Sequence, residues 1–243
     1  MTVLVVGASG ATGSKLVEQL LSNKHSVKAI VRSPEKLPDA WKNNANLQII
    51  SASLLELSDK EISEIISDCE AVASCLGHNL TFKGVYGKPR RLVTDATRRL
   101  CNAIESNYPK NPVKYVLMNT TGNRNRDLNE PISFAQKFVI GLLRLLLPPH
   151  VDNEKAADYL RTEIGKNHPV VEWVAVRPDV LINEDNLTDY EIHPSPTRSA
   201  IFNAGKVSRI NVAHFMASLI NDNNLWTKWK GQMPVIYSKF DKE

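Results

Sequence analysis

Three glycines near the start of the chain have the spacing of a phosphate-binding turn. Gly7, Gly10 and Gly13 follow the apolar run Val3–Val6 and precede a segment with helical apolar periodicity. Gly7 allows a sharp turn, Gly10 lets a pyrophosphate approach the backbone, and Gly13 lets the helix pack closely on the strand. The free N–H groups at the helix start then attract phosphate oxygens. The turn therefore predicts a bound dinucleotide, contacted by Gly7, Ser9, Gly10, Ala11, Thr12 and Gly13.

The residue after the second predicted strand indicates which dinucleotide is bound. An acidic residue there accepts from the ribose 2′-OH of NAD, whereas an arginine binds the 2′-phosphate of NADP. Here Ser26–Val31 is followed by Arg32 and Ser33, with Lys36 nearby. A guanidinium pairs with phosphate through two hydrogen bonds and stacks on adenine. We expect NADP(H) in preference to NAD(H), the alternative being that Arg32 is a solvated surface residue.

The G-x-x-G-x-x-G spacing of residues 7–13 resembles that of the extended and atypical short-chain dehydrogenase/reductase families. It is especially similar to the branch that includes NmrA-like redox sensors and biliverdin-reductase-B-type flavin reductases. Val31-Arg32-Ser33 is also typical of these families. They usually carry Gly-Asp after the third strand, where this chain has Ser51-Ala52-Ser53. The resemblance implies that Ser53 lies near the adenine, where its hydroxyl can still form a hydrogen bond.

The resemblance also implies where the reacting end of the cofactor lies. These families carry a catalytic Ser or Thr after the fifth strand, a place taken here by Thr120 and Thr121. A hydroxyl there can hydrogen-bond the substrate oxygen as hydride arrives. Lys155 matches the lysine of the family's Tyr-x-x-x-Lys motif, which holds the nicotinamide ribose, but Val151 replaces the tyrosine. Because valine cannot transfer a proton, His150 or water is left as the proton donor.

Two further loops are expected to border the cofactor. Leu76 and Gly77 follow the fourth strand, next to the crevice where the strand order of such sheets reverses. His78 lies at the same rim, where it either contacts a substrate or bonds to a backbone group. In the resembling families an Arg-Pro pair ends the sixth strand, and this places Pro178 and Val180 at the nicotinamide end.

Strand and helix signals alternate along the chain. Strands are predicted at Val3–Val6, Ser26–Val31, Leu47–Ser51, Ala71–Cys75, Lys114–Met118, Glu172–Arg177 and Val235–Tyr237, and helices at Ala11–Ser22, Asp59–Ile66, Val93–Ser106, Asn153–Ile164 and Ile210–Ile220. The alternation predicts an α/β fold, a Rossmann-type doubly wound parallel sheet with helices on both faces and a small C-terminal substrate-side region. We expect residues 1–243 to form a single NAD(P)-binding domain, with substrate-side segments around 123–150 and 179–208.

Composition narrows the class of protein. The net charge of +4 comes from dispersed basic residues, so nucleic-acid binding is not expected. The three cysteines fit no metal site, and we expect buried free thiols. No signal peptide is recognisable, so a cytoplasmic location is expected.

The apolar run Phe138–Leu147 is too short to span a bilayer, and Arg144 interrupts it. We therefore expect no integral membrane segment. The run is expected to form a short helix that is buried, lies in a subunit interface compatible with a homodimer, or covers a substrate pocket. Peripheral membrane contact is less favoured.

These observations favour an NADP(H)-dependent oxidoreductase that transfers hydride between the nicotinamide and a carbonyl, quinone or flavin-like acceptor. Its partner is a small-molecule substrate, and no metal is expected. The alternative is an NmrA-like sensor that reads NADP(H) and acts through a protein partner. A sugar-nucleotide epimerase is disfavoured, because the acid–base tyrosine and a larger C-terminal domain are missing.

Overall fold

A computed structural model describes residues 1–78 and 81–239, and for Lys36 and Lys83 the backbone alone. Its strands, numbered in chain order, are β1 Thr2–Val6, β2 Ser26–Val31, β3 Leu47–Ser51, β4 Ala71–Ser74, β5 Val113–Met118, β6 Val171–Pro178, β7 Val180–Ile182, β8 Tyr190–His193, β9 Lys206–Ser208 and β10 Val235–Ser238. Its α-helices are α1 Ala11–Ser22, α2 Asp39–Lys42, α3 Asp59–Ile66, α4 Phe82–Tyr86, α5 Leu92–Ser106, α6 Phe134–Leu146, α7 Pro148–Tyr159, α8 Arg209–Asn221 and α9 Asn223–Trp229.

The central sheet has the strand order β3-β2-β1-β4-β5-β6-β10-β8 within the described residues. Neighbouring strands from β3 to β10 run parallel, and β8 pairs antiparallel to β10. β7 and β9 form a separate parallel pair. The chain order reverses between β1 and β4, so a crevice opens at the carboxyl ends of these two strands. The predicted doubly wound α/β fold is confirmed, as a mostly parallel sheet.

Both faces of the sheet are buried under helices. Along β1, Val3 and Val5 pack into one apolar cluster, which also holds residues of α1 and α8. Leu4 and Val6 point the other way, into a cluster that holds residues of α3, α5 and α7. The side-chain alternation of a strand thus feeds two cores at once, which explains why this strand is a continuous apolar run.

Several elements differ from their predicted bounds. α7 begins at Pro148, five residues before the predicted Asn153, because proline suits the first position of a helix. Its last predicted turn, Leu160–Ile164, is a π-helix. The predicted substrate-side segment 179–208 contains the strand β8. Four short elements, α4, β7, β9 and α9, were not predicted.

The structure caps α8 with a serine and confirms the predicted buried thiols. Ser208 caps α8, since its hydroxyl accepts a hydrogen bond from the N–H of Asn211 at 3.1 Å. The three cysteines are buried free thiols, and burial raises the pKa of Cys69 and Cys75 to about 12. Among the described residues, no helix combines the length and apolar character needed to cross a membrane.

Candidate functional site

Gly7 and Gly13 occupy positions where no side chain fits. Gly7 has φ +75°, in the left-handed region that favours glycine. A Cβ on Gly7 would lie 2.6 Å from the carbonyl carbon of Cys75, and one on Gly13 would lie 2.1 Å from the carbonyl oxygen of Gly7. That oxygen also accepts from the N–H of Gly10 at 3.0 Å. The turn is therefore pressed between the end of β4 and the first turn of α1.

The N-terminus of α1 is open, unlike those of four other helices. In α3, α6, α8 and α9 a serine or aspartate side chain accepts from an N–H of the first turn. The N-cap of α1 is Gly10, which has no side chain, and the first turn holds no acidic residue. Within the described residues its first N–H groups thus have no side-chain acceptor, and the positive end of the helix dipole is uncompensated. This is an arrangement that binds phosphate.

A cleft of about 260 Å³ lies beside this turn, at the carboxyl ends of β1, β2, β3 and β4. We call it the β1–β4 cleft. Its lining includes seven residues predicted to bind the cofactor: Gly7, Ser9, Gly10, Arg32, Ser53, Leu76 and Gly77. Leu54, Leu55, Pro89 and Leu92 complete an apolar wall that the sequence motifs did not indicate. Of the remaining predicted residues of the turn, Ala11 is exposed, whereas Thr12 and Gly13 are buried in the first turn of α1.

Among the side chains that the structure describes, Arg32 is the cationic residue of this cleft. Its side chain is exposed. No carboxylate of the described residues lies within ion-pair distance of its guanidinium. The charge is therefore available to an anionic ligand. An open helix N-terminus and an arginine in one cleft fit the pyrophosphate and the 2′-phosphate of NADP.

A second cleft, of about 460 Å³, lies beyond the end of β5. We call it the β5 cleft. Thr121, Gly122 and Arg124 line it from one segment, Gln136 and Ile140 from α6, and residues 196–200 from the loop after β8. Both predicted substrate-side segments thus meet on one cavity.

The loop after β5 is held by its own polar groups. The side chain of Asn119 accepts from the N–H of Thr120 at 2.9 Å, and the Thr120 hydroxyl accepts from the N–H of Gly122 at 3.2 Å. The N–H of Thr121 donates to the carbonyl of Pro178 at 3.0 Å. These bonds leave Thr121 on the wall of the β5 cleft and Thr120 half-buried beside it.

Asp179 lies directly after β6, next to this loop. Burial raises the pKa of the Asp179 carboxyl, although the N–H of Gly205 and the side chain of Thr121 both stabilise its charged form. The Gly205 N–H donates to Asp179 Oδ2 at 2.8 Å. With its pKa raised, this carboxyl beside Thr121 stays protonated to a higher pH than a free aspartate does. Its neighbours Pro178 and Val180 are buried and exposed, respectively.

His150 lies against the same loop, with its Cε1 3.3 Å from the point where a Cβ of Gly122 would sit. Its Nε2 lies 3.5 Å from Glu154, an ion-pair contact without hydrogen-bond alignment. Arg144 donates to both carboxylate oxygens of Glu154 at 2.9 Å. Burial alone would raise the pKa of Glu154, but His150 and Arg144 together lower it to about 2.

Lys155 and Val151 lie on α7. Val151 is half-buried, and Lys155 is exposed and lines neither of the two clefts described above. The predicted ribose contact of Lys155 therefore stays a prediction.

A buried carboxylate next to Val151 fixes the loop that borders the β1–β4 cleft. Asp152 accepts from the N–H groups of Val93 and Thr94, at 2.8 and 2.9 Å, and so caps α5. It also contacts His78 Nε2 at 2.8 Å, while His78 Nδ1 faces the carbonyl of Gly84 at 3.2 Å. Burial opposes ionisation of Asp152, yet these hydrogen bonds lower its pKa overall. His78 is thus bonded within the protein, in agreement with the second of its two predicted roles.

A buried ion pair that the motifs did not indicate supports the β5 cleft. Arg177, fully buried at the end of β6, donates to both oxygens of Glu130, at 3.2 and 2.7 Å. It also donates to the carbonyls of Met233, Asn123 and Pro194. A single arginine inside an apolar strand was the signal available in the sequence, because a buried charge requires a partner. The position of that partner was not readable.

The glycine turn, the open end of α1 and a cleft at the reversal of strand order together define a nucleotide-binding α/β protein. The chain belongs to the NAD(P)H-binding family, whose model matches residues 7–223.

The individual proteins to which this chain is similar share a low sequence identity with it. An uncharacterised chloroplastic protein of Arabidopsis thaliana is 29% identical over 192 residues, covering 76% of this chain and 67% of that protein. A wide-type short-chain dehydrogenase/reductase of Veillonella parvula, solved in complex with NADP, is 16% identical with a TM-score of 0.68, over 100% of this chain and 98% of that one. A Streptococcus pneumoniae protein proposed to be an NADH–flavin reductase is 16% identical with a TM-score of 0.66, over 98% and 100%. At these identities the two structures establish the fold.

Proposed function

We propose that this protein is an NADP(H)-dependent oxidoreductase of the atypical short-chain type, with the whole chain acting as one NAD(P)-binding domain. It transfers hydride between the nicotinamide and a carbonyl, quinone or flavin-like acceptor without a catalytic tyrosine. The observation that carries the proposal is the combination, in one cleft, of an uncapped helix N-terminus and an arginine that has no ion-pair partner among the described residues. The solved relative that holds NADP supports the choice of cofactor.

The β1–β4 cleft binds the phosphates of the cofactor, and the β5 cleft binds the acceptor. Arg32 binds the 2′-phosphate, and the first turn of α1 binds the pyrophosphate. Because β4 and β5 are neighbours in the sheet, a dinucleotide that crosses the end of β4 reaches the loop of Thr120 and Thr121. When bound, the reduced nicotinamide supplies the hydride. The acceptor then occupies the β5 cleft, where Arg124 and Arg198 favour an acceptor with anionic or strongly polar groups.

The proton comes from groups of this chain that surround the same loop. The Thr121 hydroxyl donates a hydrogen bond to the acceptor oxygen and stabilises the charge that develops there. The Asp179 carboxyl, which its buried position keeps protonated to higher pH, then restores the proton to Thr121. His150 is the other candidate donor, since it contacts Gly122 from the opposite element.

Cofactor selection is tested by titrating NADPH and NADH into the wild type and Arg32→Asp. Loss of a charged phosphate contact is worth about 1.5–3 kcal/mol, so the Kd for NADPH should rise roughly 10- to 100-fold while that for NADH changes little. Lys60→Asp is the matched control, because it makes the same charge change on an exposed side chain of α3. An unchanged NADPH affinity in Arg32→Asp would show that this account of 2′-phosphate recognition is wrong.

Catalysis is tested by following the absorbance of NADPH with a panel of quinones, flavins and small carbonyls. Turnover that is lost in Thr121→Ala, with NADPH affinity retained, supports the oxidoreductase. Tight NADPH binding without turnover on any acceptor would instead favour the NmrA-like sensor, for which the valine at position 151 is equally suited.

A further inference from the structure

Helix α6 carries its large apolar side chains on the side that faces away from the protein. Phe134, Phe138, Leu142, Leu145 and Leu146 share one side at helical spacing. All five are exposed, Phe134 to 86% and Leu145 to 79%. A contiguous apolar patch of this kind on a surface indicates that something covers it.

The opposite side of α6 holds two of its three polar side chains and faces the protein. Gln136 lines the β5 cleft together with the buried Ile140, and Arg144 is paired with Glu154 of α7. This is the reverse of the usual surface helix, whose apolar side faces the core. Packing within this protein therefore does not explain the apolar outward side of α6.

Helix α4 extends the patch. Phe82 is 82% exposed, and its ring centroid lies 5.0 Å from that of Tyr86. The Tyr86 hydroxyl donates to the carbonyl of Leu146 at 3.0 Å, which joins α4 to the end of α6. We call the joint patch the α4–α6 surface: Phe82, Tyr86, Phe134, Phe138, Leu142, Leu145 and Leu146.

The chain around this surface is basic. Residues 81–94 and 131–151 contain six basic residues and no acidic one: Lys83, Lys88, Arg90, Arg91, Lys137 and Arg144. Glu154 neutralises Arg144. Lys88, Arg90, Arg91 and Lys137 are exposed. An apolar surface bordered by cations favours a partner that has an apolar interior and an anionic surface.

We propose that the α4–α6 surface binds the face of an anionic lipid bilayer, with α6 lying in the plane of the interface. Basic side chains then meet lipid phosphates or carboxylates, and the apolar side chains enter the acyl boundary. With 13 residues α6 is too short to span the bilayer. A second copy is a poorer occupant, because a two-fold interface would bring the same exposed cations of both copies together.

The test is flotation of the full chain with vesicles of phosphatidylcholine, with and without phosphatidylserine. Wild type should float with the anionic vesicles, and added salt should weaken this binding. Phe138→Asp should lower the partition coefficient at least about tenfold, since it removes buried apolar area and adds a repelled charge. Arg90→Glu with Arg91→Glu should reduce binding to the anionic vesicles specifically.

Tyr108→Asp is the matched control, because Tyr108 is an 86% exposed aromatic residue that follows α5 at the other end of the sheet. It should float like the wild type. Unchanged thermal unfolding and NADPH affinity of Phe138→Asp would exclude misfolding. The proposal is overturned if the wild type stays unbound with both vesicles, or if Tyr108→Asp loses binding equally. It is also overturned if light scattering shows a dimer that Phe138→Asp dissociates, since the occupant is then a second copy.

Discussion

Removing the carboxylate of Glu130 should destabilise the protein more than most single substitutions. Glu130 is 5% exposed and holds the guanidinium of Arg177, which is fully buried. In Glu130→Ala the guanidinium keeps the backbone carbonyls of Met233, Asn123 and Pro194 as acceptors. It loses its counter-charge, and the N–H of Asn125 loses its acceptor at 2.8 Å. An unpaired charge then remains in the interior.

Breaking a buried ion pair on one side costs about 3–5 kcal/mol of the free energy of unfolding. For a chain of this size about 1 kcal/mol shifts the unfolding temperature by roughly 2–4 °C, so Tm should fall by roughly 6–20 °C. Arg177→Met should cost a similar amount, since it strands the Glu130 carboxylate. The double variant should lose no more than either single one, because no buried charge is left unpaired.

Urea unfolding followed by circular dichroism gives the four free energies of this cycle. Stability is the correct readout, because Glu130 also lines the β5 cleft and activity would mix two effects. Additive losses in the double variant, or a loss below about 1 kcal/mol in Glu130→Ala, would refute the reasoning.

Three further outcomes are expected. Gly13→Ala should abolish NADPH binding and lower stability, because its Cβ would lie 2.1 Å from a backbone oxygen. The control is Gly141→Ala, whose Cβ would enter open space. In the same NADPH titration and thermal melt it should leave binding unchanged and stability unchanged or raised. Asp179→Asn should lower turnover and flatten the fall in rate that the wild type shows with rising pH, since only the wild-type carboxyl has a proton to donate and it loses that proton as pH rises; an unchanged pH–rate profile would contradict its role. Because the folded-state pKa of Glu154 is about 2 against an ordinary 4.5, its stabilisation of up to about 3 kcal/mol is present above pH 4.5 and lost as pH falls towards 2. Glu154→Gln should flatten that part of the stability–pH curve measured by urea unfolding.

Features set by local chemistry could be predicted from the sequence. The bounds of α1, β2, β3 and α3 match the structure, because glycine turns, caps and apolar periodicity act within a few residues. The residues expected at the ends of β1 to β4 converge on one cleft because of the sheet topology. In a parallel sheet, carboxyl ends meet at one edge whatever the loops do.

Features set by long-range contacts could not be predicted. Glu130 and Arg177 are 47 residues apart, and nothing local marks Glu130 as the partner. Asp152 looks like an ordinary helix residue, yet it caps α5 from a distance of 58 residues. The strand β8 is short, and it forms only because β10 offers an edge to pair with. Tertiary context decides each of these.

Helix α6 is a wall with two working sides: Gln136 and Ile140 face the β5 cleft, and the apolar residues face outward. A rigid element cannot move on one side only. In the proposed function an acceptor fills the β5 cleft against this helix, so a partner on the outer side would contact the same element. Any change that the acceptor makes in the affinity for such a partner is matched, by thermodynamic reciprocity, by an equal factor in the affinity for the acceptor. The placement of one helix thus puts the proposed acceptor site and the proposed bilayer contact on two sides of a single element.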